Sequence, residues 1–245
     1  MFKPNRYIKH LKHQDIICKN NFKVLCWNVA KLTLNKSYIE YIKSIIEKEQ
    51  IDILLLQEVK KQLAEELSIC DFSYILSPNI QTKKHIYGVL SAFKVSCQDE
   101  LSLLTRNREL SYATHKASLI TRHKISKHDT LLMVNLHAIN FVKNSDFYYE
   151  LQQIKSSVKS HKGAMIVAGD FNTWNTKRVG MLKEFSSELS LKEVKFDDNS
   201  NIKKFFTNSL DYIFYRDLEL IDSKVIDSKK ISDHNPIIAS FRLQH

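Results

Sequence analysis

A layered α/β domain with two sheets' worth of strands is the fold class that this sequence predicts, and three observations carry the prediction. Apolar runs of strand length recur along the chain, and several are continuous rather than alternating, as strands covered on both faces require. Segments of helical period lie between some of them. The 245 residues are 43% hydrophobic and hold only 4 Gly and 3 Pro, so no flexible linker or composition shift divides them. A chain of that size buries a substantial core.

The elements follow in order. Residues 1–20 form a basic N-terminal extension, and residues 21–245 form one domain. Strands are expected at 22–28, 52–57, 87–93, 117–122, 130–137, 164–169, 211–215 and 236–242. Three helices are expected between them. Residues 37–49 place Tyr38, Ile42, Ile45 and Ile46 on one face. Residues 146–161 do the same with Phe147, Leu151, Ile154 and Val158, and keep Lys155 and Lys159 off that face. Residues 177–189 align Val179, Leu182, Phe185 and Leu189. The polar segments 79–86, 104–116 and 195–208 are expected as loops, the usual carriers of binding residues. No repeat of solenoid period is present.

The formal charge of +10 speaks of partners rather than of fold. It is concentrated. Residues 3–23 carry six Lys or Arg against Asp15, and residues 106–128 carry six against Glu109, with His115, His123 and His128 interleaved. Such stripes suit a polyanion, either nucleic acid or an anionic membrane surface, and equally suit a solvated basic face. The four Cys form no Cys-x-x-Cys pair, and Cys26 and Cys97 lie in apolar strand-like runs, which argues against a zinc site or a disulfide framework. The N-terminus has no apolar signal core, and no apolar stretch reaches the length of a membrane span. A cytoplasmic, monomeric protein is the expectation.

Carboxylates at the ends of apolar runs carry the chemistry. Ile53-Leu-Leu-Leu-Gln57 runs into Glu58, a hard oxygen ligand suited to Mg²⁺. Val167-Ala-Gly169 runs into Asp170, which can deprotonate a water, and Asn172 two residues on can donate to a phosphoryl oxygen. Gly169 gives the backbone latitude to turn there. Ser232-Asp233-His234 precedes the last apolar run, and its His needs an orienting acceptor. Asp211, an acid inside an apolar strand, needs a partner of its own. Pairing Asp211 with His234 meets both needs. His137 and Asn28 also end apolar strands, although either alone suits packing as well as function. Trp174 and Arg178 follow the Asp170 loop, where they can stack a base and clamp a phosphate, or simply pack and cap a helix.

Taken together, these fragments resemble the endonuclease/exonuclease/phosphatase superfamily, the fold of DNase I. The match runs from Trp27-Asn28 to the strand holding Phe241. The motifs His137-Ala-Ile-Asn140-Phe141, Gly169-Asp-Phe-Asn-Thr-Trp174 followed by Arg178, and Asp211-Tyr-Ile-Phe-Tyr-Arg216 look most like its YafD-like bacterial branch. The resemblance implies a four-layer α/β sandwich, with two mixed sheets face to face and helices outside. It implies Mg²⁺, with Mn²⁺ as the alternative, held by Glu58 with Asn28 and Asp233 nearby. It makes Asp170 the residue that positions water, Asn172 the amide on the scissile phosphate, His234 with Asp211 the catalytic imidazole, and His137 a group near the leaving oxygen. Asn140, Trp174 and Arg178 are then substrate contacts. Ala30 departs from the apurinic-endonuclease pattern, which carries an Asp there, and no phosphoinositide signature is visible.

The expected activity is therefore metal-dependent phosphodiester hydrolysis on nucleic acid. The alternative is a phosphoinositide- or sphingomyelin-type phosphoesterase at an anionic membrane, with Phe205-Phe206 at the bilayer surface. A non-catalytic binding module is a third reading, and the full set of acids and histidines argues against it.

Overall fold

The central strands β2 (Asn21–Asn28) and β3 (Ile53–Gln62) are Val-, Ile- and Leu-rich runs that pair in parallel, and the crossover between them is α1 (Lys36–Glu49). In this computed structural model, which describes residues 5–15, 17, 20–109, 114–196, 202–205, 208–228 and 230–244, they sit mid-sheet. The sheet has seven strands. β1 (Tyr7–Lys9), β4 (Ser73–Gln81) and β5 (His85–Phe93) flank β3, while β15 (Ile237–Leu243) and β14 (Leu218–Val225) flank β2.

The second sheet has six strands, in the order β10 (Lys192–Glu193), β13 (Asp211–Arg216), β9 (Met165–Asp170), β8 (Thr130–His137), β7 (Ala117–Lys124) and β6 (Asp99–Leu104). Its parallel pair is β8–β9, crossed over by α2 (Asn144–Val158). A third helix, α3 (Thr176–Glu188), follows β9. A two-stranded hairpin, β11 (Lys204–Phe205) and β12 (Asn208–Ser209), completes the elements.

Burial defines four layers. Val24, Cys26, Ile53 and Leu55 of one sheet meet Leu119, Met133, Ile166 and Ala168 of the other in the central core. The opposite faces of the same strands, Leu25, Trp27, Leu54 and Leu56, pack on Ile42, Ile45 and Ile46 of α1. Leu132, Val134, Leu136 and Val167 pack on Phe147, Leu151 and Ile154 of α2 and on Leu182 and Phe185 of α3. Strands apolar on both faces are thus strands covered on both faces.

Several expectations need correction. Residues 7–9, within the stretch expected to lie outside the domain, pair with residues 74–76 as an edge strand. Most of the expected loop 79–86 is strand, and the β4–β5 turn is only residues 82–84. Strands β4, β6 and β14 escape a reading by apolar runs for separate reasons. β4 contains Pro78, tolerated because the register with β5 is irregular between Pro78 and Ile80. β6 and β14 are sheet edges, half-exposed and correspondingly polar.

Gly169 does not serve a turn. It lies inside β9 at φ 152°, and a Cβ there would sit 1.9 Å from the Leu136 carbonyl oxygen of β8. Close approach of the two parallel strands requires the glycine.

Candidate active site

The two parallel pairs point their C-terminal ends the same way, and that arrangement builds the site. Asn28 ends β2 beside Gln57, and His137 ends β8 beside Asp170 at the end of β9. Asp211 opens β13, at the start of the strand expected over 211–215, directly opposite Asp170 in the antiparallel register. The 232–235 loop enters β15 next to the end of β2, where Ile237 pairs with Cys26. Loop position is tied down by Trp27 Nε1, which donates to the His234 carbonyl (2.8 Å), and by Ser232 Oγ, which donates to the Asn28 carbonyl (2.8 Å).

Glu58 does not end its strand. It sits at φ 53° in a bulge between Leu56 and Val59, after which β3 continues to Gln62. A bulge inserts an unpaired residue and re-aims its side chain. Here the Glu58 carboxylate reaches a cavity that it lines together with Lys31, Lys116 and His137. Its oxygens lie 3.4 Å from Lys31 Nζ and 3.8 Å from His137 Nε2.

Around Asp170 the groups converge. Asn28 Nδ2 donates to Asp170 Oδ2 (3.0 Å), and the Asn172 backbone N–H donates to Oδ1 (3.0 Å). His137 Nε2 and His234 Nε2 stand 3.6 Å and 3.8 Å from Oδ2. His234 Nδ1 bonds Asp211 Oδ2 at 2.7 Å, the pairing expected from sequence. Asp211 Oδ1 is buried without a hydrogen-bond partner. Ligand atoms of Asp170, Asp211 and His234 all lie within 4.8 Å of one another.

The electrostatics follow from burying two acids side by side. Burial first, then the neighbouring Asp211 charge, pushes Asp170 up to about 6, against the pull of His234. Burial would lower His234, but the charge and hydrogen bond of Asp211, with Asp170 behind them, outweigh it and push the imidazole up to about 9. His137 goes the other way. Burial and then the Lys116 and His234 charges hold it well below the usual histidine range, so it is a neutral imidazole.

A raised histidine stabilises the fold below its unfolded value near 6.5, and that stability is lost as pH rises through about 9. The wild-type advantage over Asp211→Asn should therefore shrink between pH 6.5 and 9.5, by on the order of 3 kcal/mol. Urea unfolding of both proteins across that window measures it. Glu150, which burial pushes up to about 8, titrates in both and cancels in the difference. An advantage that does not change with pH would disprove the pairing.

The other expected site residues divide. Asn172, at φ 49°, gives one amide hydrogen to the Ala138 carbonyl (2.9 Å) and retains a second. Asn140 turns inward on its own loop, where Oδ1 accepts the Phe141 N–H (2.9 Å) and its N–H meets Glu109 Oε1 (2.8 Å). Asp233 turns away from this cluster. Its carboxylate is 66% exposed and ion-paired with Lys203, while His234, in a bend tied down through Ser232 and Trp27, takes the inward side.

Arg178 cannot clamp substrate, because it is 0% exposed. Its guanidinium donates to the carbonyls of Ile139 (2.8 Å), Asn172 (3.0 Å) and Val142 (3.3 Å), and lies over the rings of Phe147 and Trp174. It holds together the two loops that carry Asn172 and Phe141. Trp174 is half-buried against it.

Two features were missed in the sequence. Lys116 Nζ lies 3.1 Å from His137 Nε2 and 3.5 Å from Glu109 Oε2, so one lysine of the basic stripe belongs to the site. Beneath it, fully buried Gln57 donates to Asn135 Oδ1 (2.7 Å), and Asn135 donates to the Leu90 carbonyl (2.8 Å). That link pins the two sheets just below the catalytic end. Only a polar residue inside each apolar run signalled it.

The basic stripe 106–128 is not one face. His123 is fully buried and lowered to about 4 by burial, and Arg122 pairs with Asp99 at the surface. Of the pair expected at a bilayer, Phe206 lies outside the described residues and Phe205 is described in its backbone alone. Among the described residues no helix is long and apolar enough to cross a membrane.

Comparison with known proteins follows the same lines. The family model of the endonuclease/exonuclease/phosphatase family matches residues 25–234. A UPF0294 protein of Erwinia tasmaniensis is 31% identical over 235 residues, covering 92% of this chain and 83% of that protein. Among solved structures, an endonuclease/exonuclease/phosphatase family protein from Leptotrichia buccalis has a TM-score of 0.70 at 21% identity, over 91% of this chain and 100% of that one. The human Nocturnin catalytic domain with bound sulfate anion has a TM-score of 0.62 at 16% identity, over 98% of each chain. The two structures share the fold.

Proposed function

Because the chain belongs to the endonuclease/exonuclease/phosphatase family, a family of hydrolytic phosphoesterases that are generally dependent on a divalent metal, we propose that it is a Mg²⁺-dependent phosphodiester hydrolase acting on nucleic acid, with Mn²⁺ able to replace Mg²⁺. The observation that carries this reading is the Asp170 carboxylate facing the Asp211-oriented His234 at 3.8 Å. A base and a charged donor meet there at the end of a preorganised strand bundle.

The donor set fits a hard cation. Glu58 offers a carboxylate at the cavity, and among the described residues Asn28 offers an amide oxygen that otherwise accepts only the Ala30 N–H (3.1 Å), and Asp211 Oδ1 is an unsatisfied buried oxygen. Oxygen donors of this kind suit Mg²⁺, which keeps several waters. Glu58 and Asn28 are its proposed holders, without Asp233. When bound, the ion supplies positive charge to the phosphoryl oxygens.

The chain's own residues do the rest. Asp170, ionised above about pH 6, takes a proton from the attacking water. The second Asn172 hydrogen and the His234 imidazolium meet charge developing on the phosphoryl group, as fixed donors in a water-poor site do most effectively. Neutral His137, with Lys116 beside it, faces the leaving oxygen. The net charge of +10 and Lys31 and Lys116 at the cavity suit the backbone phosphates of a nucleic acid, which lysines neutralise.

A phosphoester panel tests the reading, covering single- and double-stranded DNA, RNA, and vesicles holding phosphoinositides or sphingomyelin. With Mg²⁺ the protein should cut nucleic acid, EDTA should lower the rate by about 10³-fold or more, and added Mg²⁺ should restore it. Cleavage of vesicle lipids alone, or of nothing by folded protein, would overturn it.

A further inference from the structure

Beside the catalytic end lies an open groove of about 910 Å³, lined by Asn107, Arg108, Phe141, Lys143, Asp146 and Trp174, among others. Nothing in the proposed chemistry uses it. Phe141 is 68% exposed and stands at φ 50°, a left-handed conformation that a bulky side chain rarely adopts. The strain is held from two sides. Asn140 Oδ1 caps the Phe141 N–H, and buried Arg178 grips the Ile139 and Val142 carbonyls on either side of the turn. A phenylalanine kept out of the core by a rigid turn is a feature of function rather than of packing.

Across the groove, Trp174 is fixed in place because the Arg178 guanidinium lies 5.0 Å from its ring. Two aromatic surfaces therefore stand ready-made. Arg108 and Lys143 place cations at the same groove, and the one acid, Asp146, already takes a hydrogen bond from Asn107 Nδ2 (2.6 Å). The groove neighbours the site along the chain, because two of its loops follow directly on His137 at the end of β8 and Asp170 at the end of β9, and the Asn172-to-Ala138 bond ties those loops together.

We propose that this groove is a stacking subsite for one unpaired nucleobase next to the scissile phosphate, so that the preferred substrate is a single strand or a frayed end. This rests on the phosphodiester reading above. Bases stack on aromatic rings without sequence preference, while adjacent Arg and Lys follow the backbone. A base held against Phe141 and Trp174 would set which phosphate reaches Asp170.

Binding tests it separately from catalysis. The chain has two tryptophans, and Trp27 is 1% exposed, so fluorescence quenching by a ligand reports on Trp174. In an Asp170→Asn background with Mg²⁺, a short oligothymidylate should quench the emission. Phe141→Ala should weaken its binding at least about tenfold, and Phe141→Trp should restore it. An abasic strand of the same length should bind wild-type Phe141 protein as weakly as the intact strand binds Phe141→Ala, with no further loss when both are combined. Because Phe141 is exposed, its loss leaves the fold intact, and a thermal melt confirms that.

Equal binding of abasic and intact strands, no effect of Phe141→Ala, or quenching by phosphatidylserine vesicles in place of the oligonucleotide would each overturn the subsite. Hydrolysis without base-dependent binding sinks the subsite and leaves the reaction standing. Base-dependent binding without hydrolysis by the Asp170-containing protein does the reverse.

Discussion

Asp170→Asn should lower kcat on any phosphodiester substrate by about 10³-fold or more, at nearly unchanged KM, while leaving the fold at least as stable as before. Loss of a positioned general base removes roughly 10²–10⁴ in rate. The stability half follows from the site itself. Asp170 is 2% exposed, lies opposite Asp211, and is pushed up to about 6 by burial and by that neighbour. An ionised carboxylate is thus held where the fold disfavours it. An amide is neutral, nearly isosteric, and can still accept from the Asn172 N–H through its oxygen, while its NH2 faces Asn28 Nδ2 and loses that bond, which offsets part of the gain. Thermal melts at pH 8 should show Asp170→Asn equal to or above wild type. A variant that keeps its activity would remove Asp170 from the role of base, and one that melts several degrees lower would show that the fold favours the ionised carboxylate.

Arg178→Ala should be the most destabilising single change outside the apolar core, by roughly 3–5 kcal/mol, the usual cost of breaking a buried charge network. Three carbonyls lose their donor, Phe147 and Trp174 lose a packed cation, and buried Glu150 loses the positive charge that helps offset its burial. In a chain of this size the melting temperature should fall by on the order of 10 °C. Arg178→Lys should recover little, because an ammonium lacks the planar fork that reaches three separate carbonyls. Differential scanning calorimetry of the three proteins decides it. If Arg178→Ala melts like wild type but loses substrate affinity, the residue is a substrate contact after all.

The difference between Arg178 and Asp170 shows what was legible before folding. Both are charged and they lie within nine residues of one another, but only Asp170 directly follows an apolar run. Asp170 could be placed because a strand end constrains it: the apolar run stops, the acid comes next, and a short Gly-Asp-Phe-Asn sequence leaves few conformations. Arg178 is the third residue of α3, in its first turn. Whether such a residue points outward to a phosphate or inward to carbonyls depends on where the 139–142 loop passes, and that loop belongs to another strand. Asp233 and His234 show the same limit at closer range. Adjacent side chains leave the backbone in different directions, but which of the two faces the site depended on Asp211 waiting on the far sheet.

By itself, the sequence determined the layered α/β class, the three helices, the strand ends that carry chemistry, and the pairing of Asp211 with His234. Each is a local property: a hydrophobic period, or a charge that cannot stay buried alone. Tertiary structure decided the rest. It made Glu58 a bulge residue instead of a strand terminus, turned Asp233 out and Lys116 in, buried Arg178, and held Phe141 in solvent. Those outcomes are set by contacts between residues far apart in the chain, where the two sheets' parallel strand ends meet, and no local pattern records which side chain will find a partner there.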